Sequence, residues 1–317
     1  MNTRHCKRAR WHDYYAPSIY FITLNKRHEI SAFGSLIGDC NAPEGSKDYP
    51  SVRKSFLGLA VKRMIYRLPE IIPSCRLYQY MIMPDHIHLL IHIEERTPFH
   101  LGSYISKFKN LLNIMMGMRI FESGFNDKII GRSRSLNVIY KYMQENPYRL
   151  AVRRANRCFF ERCDRIRLDG KRYMAYGNLQ ILKNPFMEAV IIHRCYGEKE
   201  VANLKEKWLR LAESGGALVS PFIAAKEKEI RKEIEEIEEI GGAVVLIVEK
   251  PFEGERYKPF KHDFDQCAKG ELVILAPAEE DWSEGREKIP RKGCLTMNKL
   301  AEYLVKRGER KRKENGS

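Results

Sequence analysis

Apolar positions along this chain fall into two regimes. Through the first half, strand-like and helix-like spacing alternate. SIYFITLNK (18–26) is rich in β-branched and aromatic residues and predicts a strand, with ISAFGSLIGD (30–39) as its hairpin partner. The loop CNAPEGSKDYP follows, punctuated by Pro43, Gly45 and Pro50. SVRKSFLGLAVKRMIYRLPEII (51–72) sets Phe56, Leu59, Ala60, Met64 and Ile65 at helical spacing. YMIMPDHIHLLIHI (80–93) reads as a strand, and PFHLGSYISKFKNLLNIMMGM (98–118) as an amphipathic helix. In SRSLNVIYKYMQENPYRLAVRR (133–154), Ser135 is placed as an N-cap and Leu136, Ile139, Tyr140 and Met143 mark a buried stripe. Pro147 predicts the end of that helix near Asn146, because the residue before proline is pushed away from helical geometry.

Beyond about residue 165 the pattern changes. AVIIH (189–193), GALVSP (216–221), GAVVLIVE (242–249) and ELVILAP (271–277) are short and nearly all apolar. Helical stretches separate or follow them: 198–214, 224–242 and 295–306. Apolar strands alternating with helices indicate a parallel sheet covered on both faces. KEKEIRKEIEEIEEI reads as a solvated helix face laced with Glu and Lys pairs. The expected organisation is therefore a domain over 1–164, a second over 165–305, and a basic tail over 306–317.

Charge sharpens this division. Of the net +15, residues 1–164 hold 26 Lys and Arg against 14 Asp and Glu, a net +12. The remainder holds 30 against 27, and RGERKRKENGS alone accounts for that +3. An excess confined to one half points to a polyanion, most simply nucleic acid. The eight cysteines form no CxxC pair, so free thiols in a reducing cytoplasm are expected and a zinc ribbon is not. No apolar run reaches the length of a membrane span.

Candidate chemistry centres on His86 and His88. Side chains alternate along a strand, so the two imidazoles share a face and can chelate one divalent cation. The same spacing also suits two polar residues on the wet face of a half-buried strand. Tyr142 supplies a phenol that could attack phosphorus once a nearby cation favours the phenolate, since free tyrosine titrates near ~10. Asn146, one helical turn on, shares the face of Tyr142 and offers an oxygen donor to the same ion. The bland alternative for Tyr142 is a packed aromatic.

The order HDYYAPSIYFITLNKR, MIMPDHIHLLI, YISKFKN, IFESGFNDKII and IYKYMQENP resembles the HUH single-tyrosine transposases, and among them the REP-associated tyrosine transposases, relatives of the insertion-sequence-200 type. The resemblance covers roughly residues 10 to 155. It implies a ferredoxin-like antiparallel sheet domain of the α+β class, Mg²⁺ or Mn²⁺ on His86 and His88, Tyr142 as nucleophile, and Asn146 as a less firmly placed ligand. It further implies a transposase-like endonuclease and strand transferase, acting in the cytoplasm with the nucleoid. Such an enzyme cleaves and rejoins single-stranded DNA at hairpin-bearing repeats through a 5′-phosphotyrosine. Members differ in whether they act as dimers, so a homodimer stands among the expectations. Where the family has Trp-Gln and an acidic residue followed by His, this chain has Phe121-Glu122 and Asp127-Lys128. Lys107, Lys109, Arg132 and Arg134, together with Arg53, Lys54, Lys62 and Arg63, are the expected phosphate contacts. The alternatives are a non-catalytic regulator that binds structured DNA and a metal-dependent hydrolase of small phosphoesters.

Residues 172 to 305 resemble the Rossmann-like fold of DNA-processing protein A and its lysine-decarboxylase-like relatives, with Gly177-Asn178, Ser220 and Glu227 at matching places. The glycine-rich phosphate loop is replaced by SPFIAAKEKE and no GxGxxG follows any strand, so no cofactor is expected there and an accessory role is preferred.

Overall fold

The computed structural model describes residues 9, 11–131, 133–237, 242–252, 254, 257–279 and 291–315, with backbone alone at 133–135 and 315. The chain divides into two compact units, Met1–Ala155 and Asn156–Ser317.

The first unit is built on a four-stranded antiparallel sheet of β1 (Ser18–Asn25), β4 (Cys75–Ile82), β5 (His86–Ile93) and β6 (Asn126–Ile130), in the order β4-β5-β1-β6. One face carries Tyr20, Ile22, Leu24, Ile87, Leu89 and Ile91 and is covered by α1 (Phe56–Tyr66), the one-turn α2 (Leu68–Ile71) and α3 (Leu101–Met116). The other face carries Ile19, Phe21 and Leu90 and packs on Ile139 and Met143 of α4 (Ser133–Ala155). α1 starts at Ser55, whose hydroxyl accepts from the Gly58 amide, and α3 ends at Gly117 in the left-handed conformation. Gly58 is required, since a Cβ there would lie 1.9 Å from the Phe33 carbonyl oxygen.

Five sequence expectations change. The 30–39 segment does not pair with β1: β2 (Gly34–Ile37) pairs with β3 (Ser51–Lys54) in a separate ribbon, while β1 finds its neighbours in β5 and β6. SVRK is therefore strand, and the helix begins only after the Ser55 cap. The 80–93 run is two strands joined at Met83-Pro84-Asp85, where proline cannot donate to a ladder. Helix α4 continues through Pro147 to Ala155, because Ala151 and Val152 are buried beyond it and Tyr148 stacks on Tyr49 at 5.7 Å. Tyr140, placed in the buried stripe, is instead exposed.

The second unit is a mixed six-stranded sheet, ordered β7-β8-β12-β11-β10-β9. β9 (Met187–Ala189), β10 (Ala217–Ser220), β11 (Ala243–Ile247) and β12 (Leu272–Pro277) are parallel, as the apolar runs predict for the last three, whereas β9 shares only Ala189 with the AVIIH run, whose remaining residues are not strand. β7 (Glu161–Leu168) and β8 (Lys171–Gly177) add antiparallel on the β12 side, so the boundary drawn at 164/165 falls inside a strand. Helices α5 (Glu198–Glu213), α6 (Ala225–Glu235) and α7 (Lys261–Lys269) bury Trp208, Ile230 and Cys267 on one face. Helix α8 (Arg291–Asn315) buries Leu300 and Leu304 on the other, and the segment read as a tail from 306 continues this helix through Asn315. Among the described residues, no helix is long and apolar enough to cross a membrane.

Lys109 does not stand where a phosphate contact would. Its ammonium is buried and donates to the carbonyls of Glu122 at 2.7 Å and Gly124 at 2.6 Å, fastening the segment that leads into β6 onto α3. Replacing it by methionine strands these carbonyls. Lys109→Met is expected to cost about 1.5–3 kcal/mol in urea unfolding. The salt dependence of polyanion binding should stay at the wild-type slope.

Candidate functional site

Strand alternation sets His86 and His88 on the face of the first sheet that α4 covers. His88 is fully buried and His86 is 17 % exposed. Their Nε2 atoms converge to 3.1 Å. Each remaining ring nitrogen has its own partner. Asp85 lies 2.6 Å from His86 Nδ1, and Thr23 Oγ1 lies 2.9 Å from His88 Nδ1. A carboxylate only accepts, so His86 Nδ1 carries the proton and its Nε2 keeps a lone pair.

Thr23 leaves His88 a choice. When its hydroxyl donates to Nδ1, His88 Nε2–H can donate to His86 across the 3.1 Å gap. When the hydroxyl accepts from Nδ1–H, both Nε2 lone pairs are free for a shared ion. Two ligands at right angles about ~2.1 Å from one ion would lie ~3.0 Å apart, close to the separation seen. Partners on the far nitrogens are the arrangement that orients metal-bound imidazoles.

Helix α4 brings Tyr142 to this pair. The Tyr142 ring centre lies 6.1 Å from that of His88 and 6.3 Å from Phe21, whose own ring stacks on His88 at 4.9 Å. Asn146, one turn on, is buried, and its Nδ2 has no hydrogen-bond partner among the described residues. A buried amide with an unmet donor is costly in a folded chain, and it fits a site that receives a further group. Among the described residues no three His, Cys, Asp or Glu side chains cluster as metal ligands.

The remaining predicted contacts fall elsewhere. Lys107 is exposed on α3, across the sheet from the histidines. Arg132 lies outside the described residues, and for Arg134 only the backbone in α4 is described. Phe121 is core, and Asp127 accepts from the Tyr14 hydroxyl at 2.8 Å.

Sequence reasoning missed four residues here: Thr23, Phe21, Asp85 and Arg149. Arg149 is buried, with its guanidinium 5.7 Å from the centre of the Tyr142 ring. Its spacing of seven from Tyr142 was a usable signal, as was the place of Asp85 beside His86. Thr23 becomes visible only through the register Thr23↔His88.

In the second unit, the residues singled out hold backbone. Gly177 has φ +121°, and a Cβ there would meet the Leu272 carbonyl at 2.3 Å. Asn178 donates to Gly270 at 2.7 Å, and Ser220 accepts from the Phe222 amide at 2.9 Å. Glu227 accepts from the amides of Ile192, Ile223 and Ala224. Two of these amides stand at the start of α6, where an anion would otherwise dock.

No family model matches the chain. An uncharacterized protein of Haemophilus influenzae is 23 % identical over 172 residues, which span 46 % of this chain and 89 % of that protein. Among solved structures, a REP-associated tyrosine transposase bound to a REP hairpin aligns with a TM-score of 0.33 and 15 % identity. That alignment covers 44 % of this chain and 73 % of the other.

Proposed function

We propose that the first unit cleaves and rejoins single-stranded DNA at hairpin-bearing repeats, with Tyr142 as nucleophile. The observation that carries this reading is the convergence of two imidazole nitrogens to 3.1 Å beside a half-buried phenol. His86 and His88, with Asn146, would hold Mg²⁺ or Mn²⁺. When bound, such an ion polarises phosphoryl oxygens and offsets developing negative charge. Asp85 and Thr23 fix the two imidazoles. Arg149 holds a positive charge over the face of the Tyr142 ring. The Tyr142 oxygen attacks phosphorus and gives up its proton. The bond from phosphorus to the 3′ oxygen breaks, and that oxygen leaves as a 3′-hydroxyl. A 5′-phosphotyrosine remains, and attack by a 3′-hydroxyl reverses the step and rejoins strands. The phosphotyrosine bond conserves the energy of the phosphodiester, so resealing needs no nucleotide. The second unit is read as an accessory, because Glu227 already fills the amides at the start of α6.

Two outcomes are expected. Wild-type protein incubated with labelled hairpin oligonucleotides in Mn²⁺ forms an adduct that survives denaturing electrophoresis, and Tyr142→Phe forms none while still binding the DNA. A wild type that cleaves none of a broad hairpin panel would leave the non-catalytic regulator in its place. Separately, Asp85→Ala should weaken Mn²⁺ binding by about 10–100-fold in calorimetry without DNA, as loss of a residue orienting a metal ligand does. His88→Ala should remove this binding.

A further inference from the structure

Among the described residues, helix α1 has one face turned away from the core, bonded to the sheet only through Tyr66. Leu57, Ala60, Val61, Met64 and Ile65 are its buried side. The outward side presents Phe56 at 80 %, Leu59 at 48 % and Tyr66 at 57 % exposure. At helical spacing these three share an arc with Arg63, and Lys62 flanks them. No Asp or Glu occurs anywhere in the helix. Tyr66 is held in place: its hydroxyl lies 3.0 Å from that of Tyr80 on β4, and the Lys62 ammonium stands 5.8 Å from its ring centre.

We propose that this face of α1 is a contact for a single polynucleotide strand, separate from the tyrosine site. Exposed rings offer π faces on which unpaired bases stack, and interleaved cations meet the phosphates that join them. The charge identifies the occupant. A second copy of this chain docked about a two-fold axis would bring Lys62 and Arg63 toward their own counterparts, with no carboxylate on the helix to offset the repulsion. A strand of phosphates meets the same cations favourably. Helix α1 covers the sheet face opposite His86 and His88, so a strand held here lies beyond the reacting phosphate.

The proposal does not depend on the tyrosine chemistry and is tested by binding alone. Fluorescence anisotropy of the full chain with a labelled 20-mer that forms no hairpin, as DNA and as RNA, is measured across a salt series. Tyr66→Ala with Phe56→Ser is expected to weaken binding by about 5–100-fold through lost stacking. Lys62→Gln with Arg63→Gln should lower the slope of log affinity against log salt by about 1.4. All four side chains are off the core, so a thermal melt should match the wild type. A strand carrying 5-iodouracil should crosslink under light to the peptide holding Tyr66. Wild-type affinity and slope in both variants, or no crosslink to α1, overturns the proposal. So does unchanged strand binding accompanied by loss of a dimer, or by loss of an acidic protein partner. Tyr142→Phe should bind the strand as the wild type does, and the Phe56→Ser, Tyr66→Ala variant should still form the covalent adduct, so either reading can fail alone.

Discussion

The first unit's candidate site depends on keeping two imidazole rings 3.1 Å apart at their Nε2 atoms, in a place closed to water around His88. Neither ring could hold that position by packing alone. Strand β5 lies inside the sheet, between β4 and β1, so its backbone is fixed by ladders on both sides. Asp85 then fixes the outer ring, while Thr23, directly across the β1 ladder, fixes the inner one. A rotation of the Thr23 hydroxyl changes which nitrogen of His88 carries the proton. The pair can thus satisfy itself when empty and still present two lone pairs to an ion, which avoids leaving buried nitrogens unpaired.

Helix α4 completes the site only because it does not stop at Pro147. A proline there offers no amide hydrogen to the Met143 carbonyl, a loss of helical stability. Packing beyond it compensates through Ala151, Val152 and the Tyr148–Tyr49 stack. The consequence is local to the chemistry. Tyr142, Asn146 and Arg149 fall on successive turns of one face, so a helix broken after 146 would not hold Arg149 over the Tyr142 ring. The local rule for proline is a bias, and tertiary burial outweighs it here.

The parts of this arrangement legible in the sequence are those set by periodicity within one element. The i, i+2 spacing of His86 and His88 and the i, i+4 spacing of Tyr142 and Asn146 needed no tertiary information. Thr23 did, because its role comes from a register 65 residues distant. Lys107 and Lys109 illustrate a second limit. They look equivalent as cations on one amphipathic helix, yet one is exposed and the other is spent on buried carbonyls. Charge alone does not reveal whether an ammonium faces water or unmet acceptors. Three parallel strands of the second unit, β10, β11 and β12, were legible as apolar runs. β7 and β8 were not, because charged residues crowd β7.

Glu227 bears on what that second unit can bind. Oxygen-rich ligands dock at helix N-termini because free amides and the helix dipole favour negative charge. Here the chain supplies its own carboxylate to the amides of Ile223 and Ala224, and ties them to the Ile192 amide of the preceding crossover. A phosphate at that place would have to displace a buried, triply bonded carboxylate and leave it near the incoming charge. The absent glycine-rich loop and the resident Glu227 therefore argue the same way: the start of α6 is a fastening between two loops.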